Sequence, residues 1–257
     1  MTSYADVFKR KEMKYRLNAV QRASLESEIA RHMELGEFAH STIRSLYYDT
    51  PDFALIERSL DKPLYKEKLR LRTYGTPDLR AQAFVELKKK FKGVVYKRRV
   101  GPSLAAAQAF LAGMPYEQAC ATYPLASPEV QAQALCPRSL QIAREIAFTM
   151  ERNANLEPST LIECSRVAYA DPEGGELRIT FDADLACVPN AQTIDTAAAR
   201  VPFFNEPISI MEVKNAGPLP AWLIDALDRA KAYPQSFSKY GYAYMNLLDH
   251  RKGDKCA

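Results

Sequence analysis

Arg70 and Arg72, set two residues apart among leucines, lie in the most cationic stretch of the chain. From Lys62 to Arg99 there are 13 Lys and Arg against 3 acids, Glu67, Asp78 and Glu86. That stretch carries +10 and the remainder −6, within an overall charge of +4. Cations concentrated in this way match a polyanionic partner. Charge alone leaves open whether that partner is nucleic acid, phospholipid headgroups, or a phosphate compound such as a nucleotide or polyphosphate.

Spacing narrows the choice. In Lys66-Glu-Lys-Leu-Arg-Leu-Arg72 the even positions Lys66, Lys68, Arg70 and Arg72 share one face of a strand, and Leu69 and Leu71 take the other. Glu86, Lys88 and Lys90 alternate in the same way with Val85 and Leu87. So do Arg10, Glu12 and Lys14, then Arg178, Thr180 and Asp182, and finally Glu212 and Lys214 against Met211 and Val213. A solvated sheet face gives such alternation in any one strand. Recurrence along the chain, with Arg and Lys dominant and acids appearing singly, favours one shared polar surface that binds anions. The charges are not interleaved with stacking aromatics, which counts against a nucleic-acid groove.

The elements that must position these residues are readable from periodicity and caps. Strands are expected at Phe8 to Leu17, Arg44 to Asp49, Lys66 to Tyr74, Phe84 to Phe91, Val94 to Val100, Leu161 to Tyr169, Glu176 to Leu185 and Ile208 to Lys214. Asn18 caps a helix through Met33, and Pro51 to Leu60 reads as a short second one. An Ala-, Gln- and Leu-rich helical insertion covers about 102–152, with Ser103 and Ser127 as N-caps, and a C-terminal helical segment covers about 218–250. The expected fold is α+β: a closed eight-stranded antiparallel β-barrel with its charged parity inside and helices packed on the apolar parity. Residues 1–257 read as a single domain, with no repeat or linker.

Other classes are disfavoured. No run approaches the roughly 18 apolar residues of a membrane span, and the N-terminus has no apolar signal core, so a cytoplasmic protein is expected. The 5 cysteines form no Cys-x-x-Cys pair, and His32, His40 and His250 are scattered without nucleophile or carboxylate at a suggestive spacing. Cys164 and Cys187 are expected in the core. Lys89, Lys92 and Arg98 oppose the charged parity or fall at a turn and should face outward. Tyr47 and Tyr48 are core or rim aromatics, with stacking on adenine the alternative.

The segments Phe8 to Tyr15, Leu46-Tyr-Tyr-Asp-Thr50, Lys68 to Gly75, Val85-Glu-Leu-Lys88, Tyr96-Lys-Arg-Arg99, Leu177 to Asp182, Ile210 to Lys214 and Phe237-Ser-Lys-Tyr240 together, in this order, resemble the polyphosphate polymerase domain of the vacuolar transporter chaperone (VTC) complex. That domain is one of the triphosphate tunnel metalloenzymes, and the resemblance implies a barrel that binds triphosphate groups inside. By the same resemblance Lys14, Arg70, Arg72, Lys88, Lys97, Arg166 and Arg178 are implied as catalytic cations. Arg10, Lys68, Lys90, Lys214 and Lys239 are implied as further substrate contacts, and Glu212, helped by Glu12, as ligands of a divalent metal, Mn2+ or Mg2+. Two positions depart from the pattern. Arg10 replaces the first acid of the usual Glu-x-Glu-x-Lys signature, and Ser236 stands where a lysine is expected.

What the resemblance implies is an ATP–polyphosphate phosphotransferase that passes the γ-phosphoryl group of ATP to a growing chain, with ATP and polyphosphate or triphosphate as partners and no nucleic acid. Such chemistry needs positioning and charge stabilisation more than a protein nucleophile. Arginine offers a fork for two phosphate oxygens, lysine a mobile point charge, and glutamate an oxygen for a hard ion. For Glu12, pairing with Arg10 or Lys14 is the alternative to metal ligation. A triphosphatase, or a module that binds polyphosphate or inositol phosphates without turnover, remains open beside the polymerase.

Overall fold

Alternation in the cationic stretch carries through to three dimensions. The computed structural model describes residues 11–92 and 94–248. Its strands are β1 (Lys11–Leu17), β2 (Glu34–Asp49), β3 (Tyr65–Tyr74), β4 (Phe84–Phe91), β5 (Val94–Val100), β6 (Glu157–Ala170), β7 (Arg178–Pro189), β8 (Val201–Pro202) and β9 (Ser209–Asn215). The helices are α1 (Ala19–His32), α2 (Ala54–Leu60), α3 (Leu104–Leu111), α4 (Tyr116–Thr122), α5 (Pro128–Ala134), α6 (Pro137–Arg152), α7 (Ala221–Arg229) and α8 (Lys239–Ala243), the last followed by a π-helical turn at Tyr244–Leu248. None of the described helices is long and apolar enough to cross a membrane.

Hydrogen bonding orders the strands β1-β9-β7-β6-β2-β3-β4-β5, with β8 on β7. The pairs β1·β9, β7·β9, β2·β3, β3·β4 and β4·β5 are antiparallel. This corrects the closed barrel expected from the sequence: the fold is α+β with an antiparallel sheet whose order is open, β1 and β5 standing at its ends. One cause is local to β1. Its outer edge is taken by the chain at Pro234 and Gln235, through a bridge from Tyr15 to Pro234 and a 2.8 Å hydrogen bond from the Gln235 amide to the Lys14 carbonyl. At the other end, Lys97, Arg98 and Arg99 load β5 with charge, a common way to leave an edge strand unpaired.

The chain divides into two compact units. The first comprises Met1–Thr42, Cys164–Ala186 and Pro202–Ser238; the second comprises Ile43–Glu163, Cys187–Val201 and Lys239–Ala257. Strands β2, β6 and β7 run from one into the other. In the first unit Tyr15, Leu17, Ile179, Phe181, Met211 and Val213 form one apolar parity, packed with Leu25 and Ile29 of α1 and Leu223 and Leu227 of α7. Asn18 starts α1 with a capping box, its side chain accepting from the Gln21 amide while Gln21 reaches back to the Asn18 amide.

In the second unit Leu69, Leu71, Val85, Leu87 and Val100 pack with Leu104, Phe110 and Ile146 of the helical insertion. Ser103 and Ser127 cap α3 and α5, as their positions imply. Glu67 breaks the apolar parity of β3, and the end of α6 explains how: Arg152, Asn153 and Tyr65 all bond its carboxylate. Lys89 and Arg98, also on this parity, meet Glu145 of α6 at 3.7 and 3.0 Å, so they face the helical layer. Cys164 and Cys187 are buried, as expected.

Candidate functional site

In the second unit the charged parity of three strands converges on one acid. Register sets Arg70 opposite Glu86 and Glu86 opposite Arg99. Glu86, only 1% exposed, accepts from Arg70 Nε at 2.7 Å and Arg99 Nε at 2.6 Å, pairs with Lys97 Nζ at 2.8 Å, and has Arg72 Nε at 4.0 Å. Burial alone would raise its carboxyl, but the charges of Arg70, Arg72, Lys97 and Arg99 hold it well below the usual carboxylate range. Arg72 also donates to Ser45 Oγ at 3.0 Å.

Tyr47 completes this cluster. Its hydroxyl accepts from Arg70 at 3.0 Å, and its ring stacks on Tyr240 of α8 with centroids 4.5 Å apart. Burial favours the neutral phenol, yet Arg70, Arg72 and Lys68 outweigh it and bring Tyr47 down to about 8. Tyr240 in turn donates to the buried Asp49 at 2.9 Å, which fixes the helix that begins at Lys239.

Beyond Glu86 the same face continues as lysines in direct register: Lys68 opposite Lys88, Lys88 opposite Lys97, and Lys66 opposite Lys90. A row of cations on one sheet face favours an anion lying along these strands.

The first unit builds a different arrangement. Lys14 lies opposite Glu212, and Glu12 opposite Lys214. Lys14 Nζ is 3.3 Å from Glu12 and 3.6 Å from Glu212, while Glu212 also has Lys214 at 3.5 Å and Arg166 at 3.6 Å. Arg166 forks onto Asp182, wholly buried, with bonds of 2.6 and 2.7 Å. Arg178 lies opposite Lys214. Lys14 additionally donates to the Phe237 carbonyl at 3.0 Å.

Among the described residues no three His, Cys, Asp or Glu side chains cluster as a self-contained metal cage. Glu12 and Glu212, both bordering Lys14, fit a less demanding site. Ions such as Mg2+ are commonly held by one or two carboxylates, with waters and substrate phosphates supplying the remaining oxygens.

The implied residues thus fall in two groups: Arg70, Arg72, Lys68, Lys88, Lys90, Lys97 and Lys239 in the second unit, and Glu12, Lys14, Arg166, Arg178, Glu212 and Lys214 in the first. Arg10 lies outside the described residues. Sequence reasoning passed over Arg99, Asp182 and the role of Glu86. The signal was present for each: Arg99 shares the parity of Lys97, Asp182 that of Arg178, and Glu86 is the single acid in its alternating run. Tyr47 gave no such signal, because its neighbours Arg70 and Tyr240 are brought to it by tertiary pairing.

Comparison with known proteins bears on the fold and on the family. A family profile described as the VTC domain matches residues 9–248. Among solved structures, a candidate adenylyl cyclase from Hippeastrum, described as revealing a dominant triphosphatase activity, is similar at a TM-score of 0.53 and 15% identity over 94% of this chain and 95% of that one. A candidate adenylate cyclase from Bacillus halodurans is similar at a TM-score of 0.47 and 15% identity over 89% and 95% of the respective chains. No curated protein sequence matches. The likeness to the Hippeastrum protein bears on the fold, and the profile spans all of the described residues: the chain belongs to the VTC domain family.

Proposed function

We propose that the protein is a polyphosphate polymerase, transferring the γ-phosphoryl group of ATP onto inorganic polyphosphate with a divalent ion, Mg2+ or Mn2+. The observation that carries this reading is the surplus of charge around Glu86, where Arg70, Arg72, Lys97 and Arg99 share one carboxylate. Such a cluster is completed by an anion of several charges.

On this reading Arg70, Arg72 and Arg99 grip non-bridging phosphate oxygens with planar forks and carry the charge that develops during transfer. Lys88 and Lys97, with Lys68 and Lys90, offer mobile ammonium groups to a chain that must advance. Lys14, Arg166 and Arg178 are assigned to the reacting phosphates, and Arg10, Lys214 and Lys239 to flanking substrate contacts. Glu212 and Glu12 would hold the ion, whose chemistry is neutralisation of phosphate charge. No protein nucleophile is required. The described cysteines are all free, in keeping with a reducing cytoplasm.

A second reading, hydrolysis of triphosphate with water as acceptor, draws on the activity named for the Hippeastrum protein. Incubating purified protein with ATP and Mn2+ or Mg2+ and resolving the products on a gel separates the two. A ladder of polymer is expected; free phosphate alone would select the triphosphatase, and no turnover with retained polyphosphate binding would select a binding module.

A further inference from the structure

Thr180 is an anomaly within the first unit. It is 3% exposed, and its hydroxyl has no hydrogen-bond partner among the described residues. A buried hydroxyl left unpaired is a cost that folded proteins usually avoid, so its retention needs a reason. Position supplies one. Thr180 lies between Arg178 and Asp182 on the charged parity of β7 and directly opposite Glu212 of β9.

What covers Thr180 follows from strand order. β7 lies between β6 and β9. Arg166 on β6 is bonded to Asp182 on β7 and also comes within 3.6 Å of Glu212 on β9. A side chain that spans from β6 to β9 must cross β7, and it crosses at the level of Thr180 and Asp182. The guanidinium meets two carboxylates at one corner, those of Asp182 and Glu212, and Thr180 stands on the same face of β7, two residues from the one and opposite the other. Arg166 is thus a cation that bridges these two carboxylates in the present structure.

We propose that Thr180 is an oxygen ligand of a divalent cation that binds in this corner, competing with the guanidinium of Arg166 for Asp182 and Glu212. This rests on the reading above that Glu212 of the first unit holds a divalent ion, and it adds the Thr180 hydroxyl, the Asp182 carboxylate and the competing arginine. Carboxylate plus neutral hydroxyl is a donor set that hard ions accept, and a Ser or Thr hydroxyl serves Mg2+ in the same way in P-loop proteins. The stability forgone in the metal-free state is then the cost of a preformed donor.

Thr73 provides an internal control. Its hydroxyl is also buried and unpaired, but it lies on the opposite parity of β3, with Leu69 and Leu71. Removing either hydroxyl relieves an unpaired group; only one removal should affect an ion.

The test uses the full chain and Mn2+ alone, followed by thermal melting and by the electron paramagnetic resonance signal of free Mn2+, with a parallel titration of tripolyphosphate alone. Thr180→Val is expected to melt at or above the wild type without metal and to weaken Mn2+ binding by roughly tenfold or more, the scale on which metal sites respond to a lost contact. Thr180→Ser should restore binding, Thr73→Val should leave it unchanged, and tripolyphosphate affinity should hold in all three. Unchanged Mn2+ affinity in Thr180→Val overturns the proposal, and so does a loss confined to tripolyphosphate, which would make the hydroxyl a phosphate contact. Mn2+ binding that responds to Thr180→Val in a protein that forms no polymer sustains the proposal while the polymerase reading fails.

Discussion

The two charged regions are built from the same strand alternation and arrive at different ratios of cation to acid. Among the described residues, the cluster in the second unit sets Arg70, Arg72, Lys97 and Arg99 against Glu86 alone. The corner in the first unit mixes the two signs, with Lys14, Arg166 and Lys214 paired to Glu12, Asp182 and Glu212 and with Arg178 opposite Lys214. The first arrangement carries excess positive charge that an added anion would neutralise. In the second each carboxylate already faces a resident cation, so a new cation would compete with it. On the proposed reading the surplus binds the phosphate chain, and the mixed corner holds the ion and the reacting phosphates.

Removing the central acid of each region should break that comparison most strongly. Glu86→Gln leaves four cations without their counter-ion, and loss of one partner from a buried ionic cluster costs about 3–5 kcal/mol. Urea denaturation should show that loss and its partial recovery with tripolyphosphate. Asp182→Asn, which removes the counter-ion of Arg166, should cost a comparable amount. Because the Glu86 carboxyl is depressed, its contribution is present above the usual carboxylate range and is lost only as pH falls through its lowered folded value.

Arg70→Ala or Lys88→Ala, on the charged parity, should lower turnover by about 10- to 1,000-fold with the fold intact, as for other removed transition-state contacts. Leu71→Ala, on the apolar parity and fully buried, should instead cost about 2–5 kcal/mol of stability. Comparing steady-state kinetics with denaturation curves for these variants would expose a reversed assignment of faces. A smaller effect distinguishes the two carboxylates of the first unit. Glu212→Gln should raise the metal concentration needed for half-activation well beyond any change in Glu12→Gln; a shift in Glu12→Gln alone would move the ion to β1.

The smallest effect concerns Tyr47, whose phenol is lowered from 10.0 to about 8. For an acid depressed in the folded state, the stabilisation is complete above the unfolded value and lost as pH falls through the folded one. Stability should therefore gain between pH 8 and 10 relative to Tyr47→Phe. Over the same range the phenolate lowers the surplus charge, so tripolyphosphate binding should weaken in the wild type and not in Tyr47→Phe, as titration calorimetry at successive pH values would show.

Much of this was legible in the sequence. The alternation of Lys66 to Arg72 put cations on one face and leucines on the other, and β3 keeps that alternation of burial, with Glu67 and Thr73 as the polar residues on its buried face. Asn18, Ser103 and Ser127 capped the helices they were expected to cap. Barrel closure was not legible, because periodicity says which face a residue takes and nothing about which edge its strand pairs. The Pro234–Gln235 segment on the edge of β1 carries no strand pattern of its own. The early half of β2 was missed for a related reason: Leu35 and Phe38 are exposed, so its alternation does not separate a core face from a solvent face. Glu86 was visible as an acid among lysines, but its role depends on three strands meeting in one register.

The most direct test of the account is thermal stabilisation by tripolyphosphate, compared with single-stranded DNA at equal phosphate concentration and over a series of salt concentrations. A ligand at about 100 times its dissociation constant that binds only the folded protein should add about 2.7 kcal/mol of stability. The surplus around Glu86 predicts such a gain for tripolyphosphate, shrinking with salt, with clearly less for DNA, whose phosphates are spaced by sugars. Equal stabilisation by the two, or none by tripolyphosphate, would contradict the assignment of this charged face to a phosphate chain.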